Sequence, residues 1–346
     1  MKDENSIFTG DKILKHLERV AEWQKTGDAK PINWTLSLTN RCNGNCPNCY
    51  GWVGPDGKKD MSTIPFKKVK DIINQIAKLG GRAILVTGGG EPTLHPECMK
   101  IIKYIKSKGM DVSLATNGLL LHKLDLKTLL DNATWCRISL DAGTPEMYKK
   151  THGLSEDKFN QVIENIRLLT KKKKELGSRC TVGVGYLTGE ETLRGMEDYA
   201  RLSSQLEVDY ATFRPFHWDT TPIDKQLKKA EKYETKEFRI LSSKQKYEFT
   251  KERKMKKPYT QCLCHYFFGE ISANGGVYLC YHLSGSPGHC FGNLYEKSLK
   301  QIWNSKERKQ AIRNLNIKEC APFCRGDAIN RIMWEISRPR DHVNFI

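Results

Sequence analysis

The sequence predicts an α/β protein: a partial (β/α)6 TIM-type barrel followed by a small cysteine-rich C-terminal module. Three observations carry that prediction. After Pro31, strand-like segments at residues 34–39, 83–87, 112–116, 135–140, 181–187 and 210–215 alternate with helical stretches near 66–79, 96–108, 124–131, 157–176 and 192–205. Strands separated by helices pair in parallel, with the helices covering the outer face of the sheet. Six such units are too few for a closed eight-stranded barrel, yet a polar motif follows each of the first four strands, at the ends where barrels place their chemistry. Finally, residues 258–326 concentrate Cys, Gly and aromatic residues, as a module does when a metal staples it instead of its own core.

The elements divide the chain as follows. Residues 1–33 form an N-terminal helical extension, because 11–25 place apolar residues at helical intervals and Gly27 closes the helix. Residues 34–217 are the βα core. Residues 218–257 turn basic and helical between Pro222 and Pro258, a connector. The cysteine module occupies 258–326, and 327–346 read as a helix and tail.

No apolar run approaches the roughly 18–20 residues that span a bilayer. The N-terminal MKDENSIFTG lacks a basic region followed by an apolar stretch, so it is no secretory signal and a cytoplasmic address is expected. In a reducing compartment twelve cysteines indicate metal or redox chemistry, not a disulfide framework. Nine fall into two groups, Cys42/Cys46/Cys49 and Cys262/Cys264/Cys280/Cys290/Cys320/Cys324, while Cys98, Cys136 and Cys180 stand alone in apolar patterns and read as buried small hydrophobes. The net charge of +17 admits a polyanionic partner. Its lysines, however, alternate with Glu and apolar residues at helical spacing in 171–174 and 225–257, as solvated helix faces do, so nucleic acid is not the expected partner.

The first motif is TLSLTNRCNGNCPNCY. Cys42, Cys46 and Cys49 are spaced C-x3-C-x2-C on a loop leaving the first strand. Three thiolates there can hold three irons of a 4Fe–4S cubane and leave the fourth open to a chelating small molecule. A zinc knuckle would need a fourth ligand from a distant Cys or His. The second motif is LVTGGGEPTLHPE, where Gly88, Gly89, Gly90 and Glu91 leave the second strand and Pro92 fixes the exit. A glycine run before Glu is by itself equally a turn; glycines also allow a ligand close to a strand edge.

Together the two motifs resemble the radical S-adenosylmethionine (SAM) superfamily. The resemblance implies that the open iron binds the amino and carboxylate groups of SAM, and that one electron splits SAM into methionine and a 5′-deoxyadenosyl radical. It implies that Gly88, Gly89, Gly90 and Glu91 hold the methionyl ammonium. Thr116 and Asn117 in LATNG, and Ser139 and Asp141 in RISLDAG, would reach the ribose and carboxylate of SAM; these short polar side chains are also ordinary turn formers. Gly183 and Gly185 in VGVGY would let adenine approach. Where the family usually has an aromatic residue before the third cysteine, this chain has Asn48, followed after Cys49 by Tyr50.

In the C-terminal module, QCLCHYFFGEISANGGVYLCYH reads as a strand, an Asn-Gly-Gly turn and a return strand that brings Cys280 back toward Cys262 and Cys264. Cys290 and then Cys320-x3-Cys324 follow. A zinc ribbon could use the same cysteines. The C-x10-G-x4-C run from Cys264 through Gly275 to Cys280, with the late pair, resembles the SPASM/twitch extension of radical SAM enzymes. Two fully thiolate-bound auxiliary clusters would need eight cysteines and the module has six, so one auxiliary 4Fe–4S cluster is expected, on Cys264, Cys280, Cys320 and Cys324, with Cys262 or Cys290 as alternates.

The expected activity is therefore hydrogen abstraction from a small polar substrate such as a sugar, aminocyclitol, amino acid or nucleotide. An electron donor such as flavodoxin or ferredoxin is implied. A maturase modifying a peptide or protein is the alternative, and a zinc-stapled nucleic-acid-binding protein the remote one. Arg214, His217 and Arg325 are candidate substrate contacts, each equally readable as a structural residue.

Overall fold

The computed structural model describes residues 9–47, 49, 60–216, 219–243, 247, 257–320 and 324–345. One ten-stranded sheet organises them. Strands β1 (Asn33–Ser37), β2 (Ala83–Thr87), β3 (Asp111–Thr116), β4 (Trp135–Ser139), β5 (Thr181–Thr188) and β6 (Tyr210–Pro215) are the six expected parallel strands, and they lie side by side in chain order. Helices Phe66–Lys78, Cys98–Ser107, Leu126–Asn132, Glu156–Glu175 and Met196–Gln205 join them. Their apolar stripes, among them Val69, Ile72, Ile73 and Ile76 on the first, pack on one face of the sheet and leave the other face for the interior. Cys98, Cys136 and Cys180 are buried in this layer.

Two features differ from the sequence reading. Residues 218–257 were expected to be helical; their described part contains helix Asp224–Ala230 and then a seventh parallel strand, β7 (Arg239–Ser242), paired with β6. Its four residues are too few to reveal a period between basic flanks. A short helix, Pro145–His152, also follows β4; it starts on Thr144, which accepts the amide of Met147 at 3.3 Å, with Pro145 at its first position.

The cysteine module is continuous with the core. Strand β8 (Phe268–Ile271) adds in parallel to β1, and β9 (Gly276–Tyr278) and β10 (Cys290–Asn293) follow antiparallel. Trp34 of β1 lies against Gly269, where a Cβ would overlap the indole, and 5.4 Å from the ring of Trp303. A second apolar cluster joins Ile13 and Val20 of the N-terminal region to Leu263, Phe267, Ile329 and Met333. The N-terminal region and the last helix thus pack together on the start of the module.

Among the described residues no helix is long and apolar enough to cross a membrane. In the lysine run after residue 171, Lys172 pairs with Glu175 at 3.1 Å, Lys174 with Glu207 at 2.6 Å, and Lys173 with Asp209.

Candidate functional site

The loop carrying Cys42, Cys46 and Cys49 is held by the turns that leave the neighbouring strands. The backbone amides of Gly90 and Glu91 donate to the carbonyls of Thr39 and Arg41, at 3.2 and 2.8 Å. A Cβ on Gly90 would overlap the Arg41 carbonyl, so this glycine is what lets the two loops touch. From the turn after β3, the Asn117 side-chain amide donates to Oδ1 of Asn43 at 2.7 Å. From the helix after β4, the His152 carbonyl accepts the amide of Asn45 at 3.3 Å.

Glu91 is the knot. It is 3 % exposed, and its Oε1 accepts from the Thr93 amide (3.0 Å), the Thr93 hydroxyl (2.6 Å) and the Thr116 hydroxyl (2.6 Å). Its Oε2 accepts the Asn117 amide at 2.7 Å. Burial pushes this carboxyl up and the four donors pull it down. Glu91, Thr116 and Asn117 are thus joined to one another, with three donors on Oε1 of Glu91 and one on Oε2. Ser139 stays half-buried on the barrel face of β4, level with Gly185. Gly88, Gly89 and Gly90 are half-buried along the edge beside the cysteine loop.

The three thiols share one neighbourhood. The sulfurs of Cys42 and Cys46 each lie 3.7 Å from where a Cβ of Gly44 would be, and the Gly44 amide donates to Cys42 Sγ at 3.3 Å. Burial pushes Cys46 up to about 12, reinforced by repulsion from Cys49, Asp141 and Cys42. Thiols that raise one another in this way are stabilised as thiolates by a bound cation. Among the described residues no three His, Cys, Asp or Glu side chains converge tightly as ligands of a single ion. Asn48, Tyr50 and His217 lie outside the described residues.

At the other end, Cys262, Cys264, Cys280, Cys320 and Cys324 form a second group. Repulsion links Cys264 to Cys262, Cys324 and Cys280, and Cys320 to Cys324. Gly326 is pressed between the sulfurs of Cys264 and Cys324, and its amide donates to Cys324 at 3.3 Å. Cys290 is occupied elsewhere: its thiol donates to the Gly292 carbonyl at 3.5 Å and it interacts with the Tyr278 hydroxyl. The sequence reading missed the residue that shapes this loop. Asn330 Oδ1 accepts the amides of Leu263 and Cys264 at 2.6 and 2.7 Å from a helix, Asp327–Ser337, whose role no cysteine spacing announces.

The two β5 glycines meet different neighbours. A Cβ on Gly183 would overlap the Tyr210 ring, and one on Gly185 would sit 3.3 Å from Nη2 of Arg214 and 3.5 Å from Cδ of Arg137. Gly183 is thus packed under Tyr210, whereas Gly185 lies beside the Arg137 and Arg214 side chains.

Residues 36–202 match the profile of the radical SAM superfamily, and residues 262–326 match that of the SPASM iron–sulfur cluster-binding domain. The chain is 26 % identical over 325 residues to a tungsten-containing aldehyde ferredoxin oxidoreductase cofactor-modifying protein of Pyrococcus furiosus, covering 84 % of this chain and 85 % of that protein. It is 31 % identical over 231 residues to a probable GTP 3′,8-cyclase of Methanococcus vannielii, covering 62 % and 72 %. Among solved structures, Streptococcus suis SuiB bound to S-adenosylmethionine superposes with a TM-score of 0.64 at 17 % identity, over 97 % of this chain and 82 % of that one. SuiB bound to its precursor peptide SuiA gives 0.65 at 16 % identity, over 91 % and 76 %.

Proposed function

From the membership of this chain in the radical SAM superfamily, with a C-terminal SPASM iron–sulfur domain, we propose that it abstracts hydrogen from a small polar substrate held inside the partial barrel. The radical SAM core binds a 4Fe–4S cluster and SAM, and the SPASM domain binds auxiliary iron–sulfur centres. When bound, the first cluster supplies the electron that splits SAM into methionine and the 5′-deoxyadenosyl radical.

The chain's own residues divide the work. Cys42, Cys46 and Cys49 are the ligands of the first cluster. Glu91 and Asn117 position that loop through the hydrogen bonds at Arg41 and Asn43, with Thr116 bracing Glu91 and the Gly90 amide held by Thr39, while the edge at Gly88–Gly90 and the Ser139 hydroxyl face SAM. Cys264, Cys280, Cys320 and Cys324 hold one auxiliary 4Fe–4S cluster, with Cys262 beside them as the alternate ligand. The domain division at 34–217 and 258–326 follows these two cysteine groups. A flavodoxin or ferredoxin in the cytoplasm is the electron donor we assign.

The carrying observation is that the turns after β2 and β3 and the helix after β4 all close on one cysteine loop. The small-molecule reading is supported by the likeness to a GTP cyclase and to a cofactor-modifying protein. A peptide substrate is the second reading, favoured by the shared fold with peptide-bound SuiB. Anaerobic reconstitution followed by dithionite and SAM tests the core claim. Deoxyadenosine is expected from the wild type and not from Cys42→Ala, Cys46→Ala or Cys49→Ala; its persistence in Cys46→Ala overturns the assignment. Mass spectrometry of extracts treated with SAM, in small-molecule and peptide fractions, decides between the substrate classes.

A further inference from the structure

Three guanidinium groups approach one another from three different elements, near enough for their charges to repel. Arg137 comes from β4, Arg214 from β6, and Arg325 from the loop after Cys324. Arg137 and Arg214 meet over Gly185, with Nη2 of Arg214 and Cδ of Arg137 at 3.3 and 3.5 Å from the position a Cβ there would take. Arg325 lies over the Phe268 ring at 5.4 Å, on the same face of β8 as Glu270. Among the described residues none of the three has a hydrogen bond or an ion pair, and Nε of both Arg137 and Arg214 is buried without a partner.

The nearby anions do not answer these charges. Asp141 is engaged by the Leu187 amide at 2.6 Å and lies 3.9 Å from His152 Nε2. Glu270 is 2 % exposed with Oε2 unpartnered, and burial pushes its carboxyl up to about 8. Burial, together with repulsion from Arg214 and Arg325, pulls the Arg137 guanidinium down to about 9. Arg325 keeps much of its surface accessible, so its charge is open to a ligand from solvent.

Unpaired like charges brought together inside a protein are costly unless a ligand neutralises them. One guanidinium fork satisfies one carboxylate. Three forks from separate walls match a group with three or more acceptor oxygens. We propose that Arg137, Arg214 and Arg325 form a substrate anion site, taking a phosphate or paired carboxylates of the small molecule on which the radical acts. This rests on the proposed function above and narrows its substrate class.

SAM carries a carboxylate of its own, so the test separates the two sources. The reconstituted full chain is titrated with inorganic pyrophosphate, with and without saturating SAM, by calorimetry and thermal melting. The wild type is expected to bind pyrophosphate in the presence of SAM and to melt higher with it. R137Q, R214Q and R325Q should each weaken that binding about tenfold or more, the size of one lost charge-assisted pair. They should bind SAM as the wild type does, and melt no lower without pyrophosphate, because each substitution removes a repelled charge. R137K, which keeps the charge and loses the fork, should fall between. Competition between pyrophosphate and SAM, SAM affinity lost in R137Q or R214Q, pyrophosphate binding unchanged in all three variants, or unfolding of both R137Q and R137K overturns the proposal. Deoxyadenosine release is read in the same samples without pyrophosphate; its failure removes the radical reading and leaves the anion result standing on its own.

Discussion

Asn117 ties two motifs together: its side-chain amide donates to Asn43 Oδ1 at 2.7 Å while its backbone amide donates to Glu91 Oε2 at 2.7 Å. The loop between Cys42 and Cys46 is thereby joined to the turn after β3 and to the carboxylate after β2. A cluster loop with no regular structure of its own gains its geometry from these partners, as metal sites depend on the groups behind their ligands.

Glu91→Gln tests that dependence. The amide would present an NH2 where the carboxylate accepts, leaving at least one buried donor facing another. The expected cost is about 2–3 kcal/mol. It should appear as a lower denaturant midpoint, accompanied by reduced iron at the first cluster with the auxiliary iron retained. Full iron at both sites would remove Glu91 from the positioning role.

Gly90→Ala is expected to act more locally. Its methyl group would overlap the Arg41 carbonyl, so the turn must withdraw from the cysteine loop. Iron and sulfide analysis should show loss of the first cluster, and far-UV circular dichroism an unchanged fold. Equal iron in the variant and the wild type would show that the loops need not touch.

The six parallel strands and the first cysteine group were legible because each follows a short rule, alternating βα units and thiols at close spacing, whereas the second group was legible without showing that Cys290 stands apart. What the glycines do was not. Gly90 and Gly185 look alike in sequence, but one admits a neighbouring backbone and the other two arginines, a difference set by strands far away in the chain. Arg137 was within reach of the same reasoning, since it lies two residues before Ser139 on β4 and shares its inward face. Glu270 was not singled out, because its burial beside β1 depends on β8 joining the sheet across more than 200 intervening residues. Asn330 carries no signal at all: a helical Asn is ordinary until the Cys262–Cys264 loop is seen resting on it.

The auxiliary site yields a contrast between two cysteines. Cys280 lies among Cys262, Cys264 and Cys324, whereas Cys290 bonds to Gly292 and Tyr278. Cys280→Ala should lose about half of the total iron, one of two four-iron clusters, and keep some deoxyadenosine release. Cys290→Ser should keep all of it. The reverse result would exchange their roles.

Arg308 fastens the N-terminal segment to the C-terminal helices. It is 1 % exposed, reaches Asp28 through both terminal nitrogens at 2.7 and 2.9 Å, and lies 4.0 Å over the Trp303 ring. Asp28→Ala leaves that buried cation unpaired and is expected to cost about 3 kcal/mol. Thermal melting should show it, while Arg308→Met, which removes the charge and fills the space, should lose less. Equal losses would mean that packing, not charge, holds the contact.

Glu270 gives the pH dependence. Burial pushes its carboxyl up to about 8, against the pull of Arg325 and the Thr35 hydroxyl. In the unfolded chain the same group releases its proton near the ordinary glutamate value, so between about 4.5 and 8 the folded protein holds a proton that the unfolded chain has lost. Stability from this residue is present below that window and falls as pH rises through it. Glu270→Gln, which stays neutral, should match the wild type near pH 4.5. It should exceed the wild type by up to roughly 4 kcal/mol near pH 8.5, with the difference growing steadily between. Denaturant midpoints of the two proteins across this range measure it, and parallel curves would mean that the Glu270 carboxylate is already ionised, neutralised by Arg325.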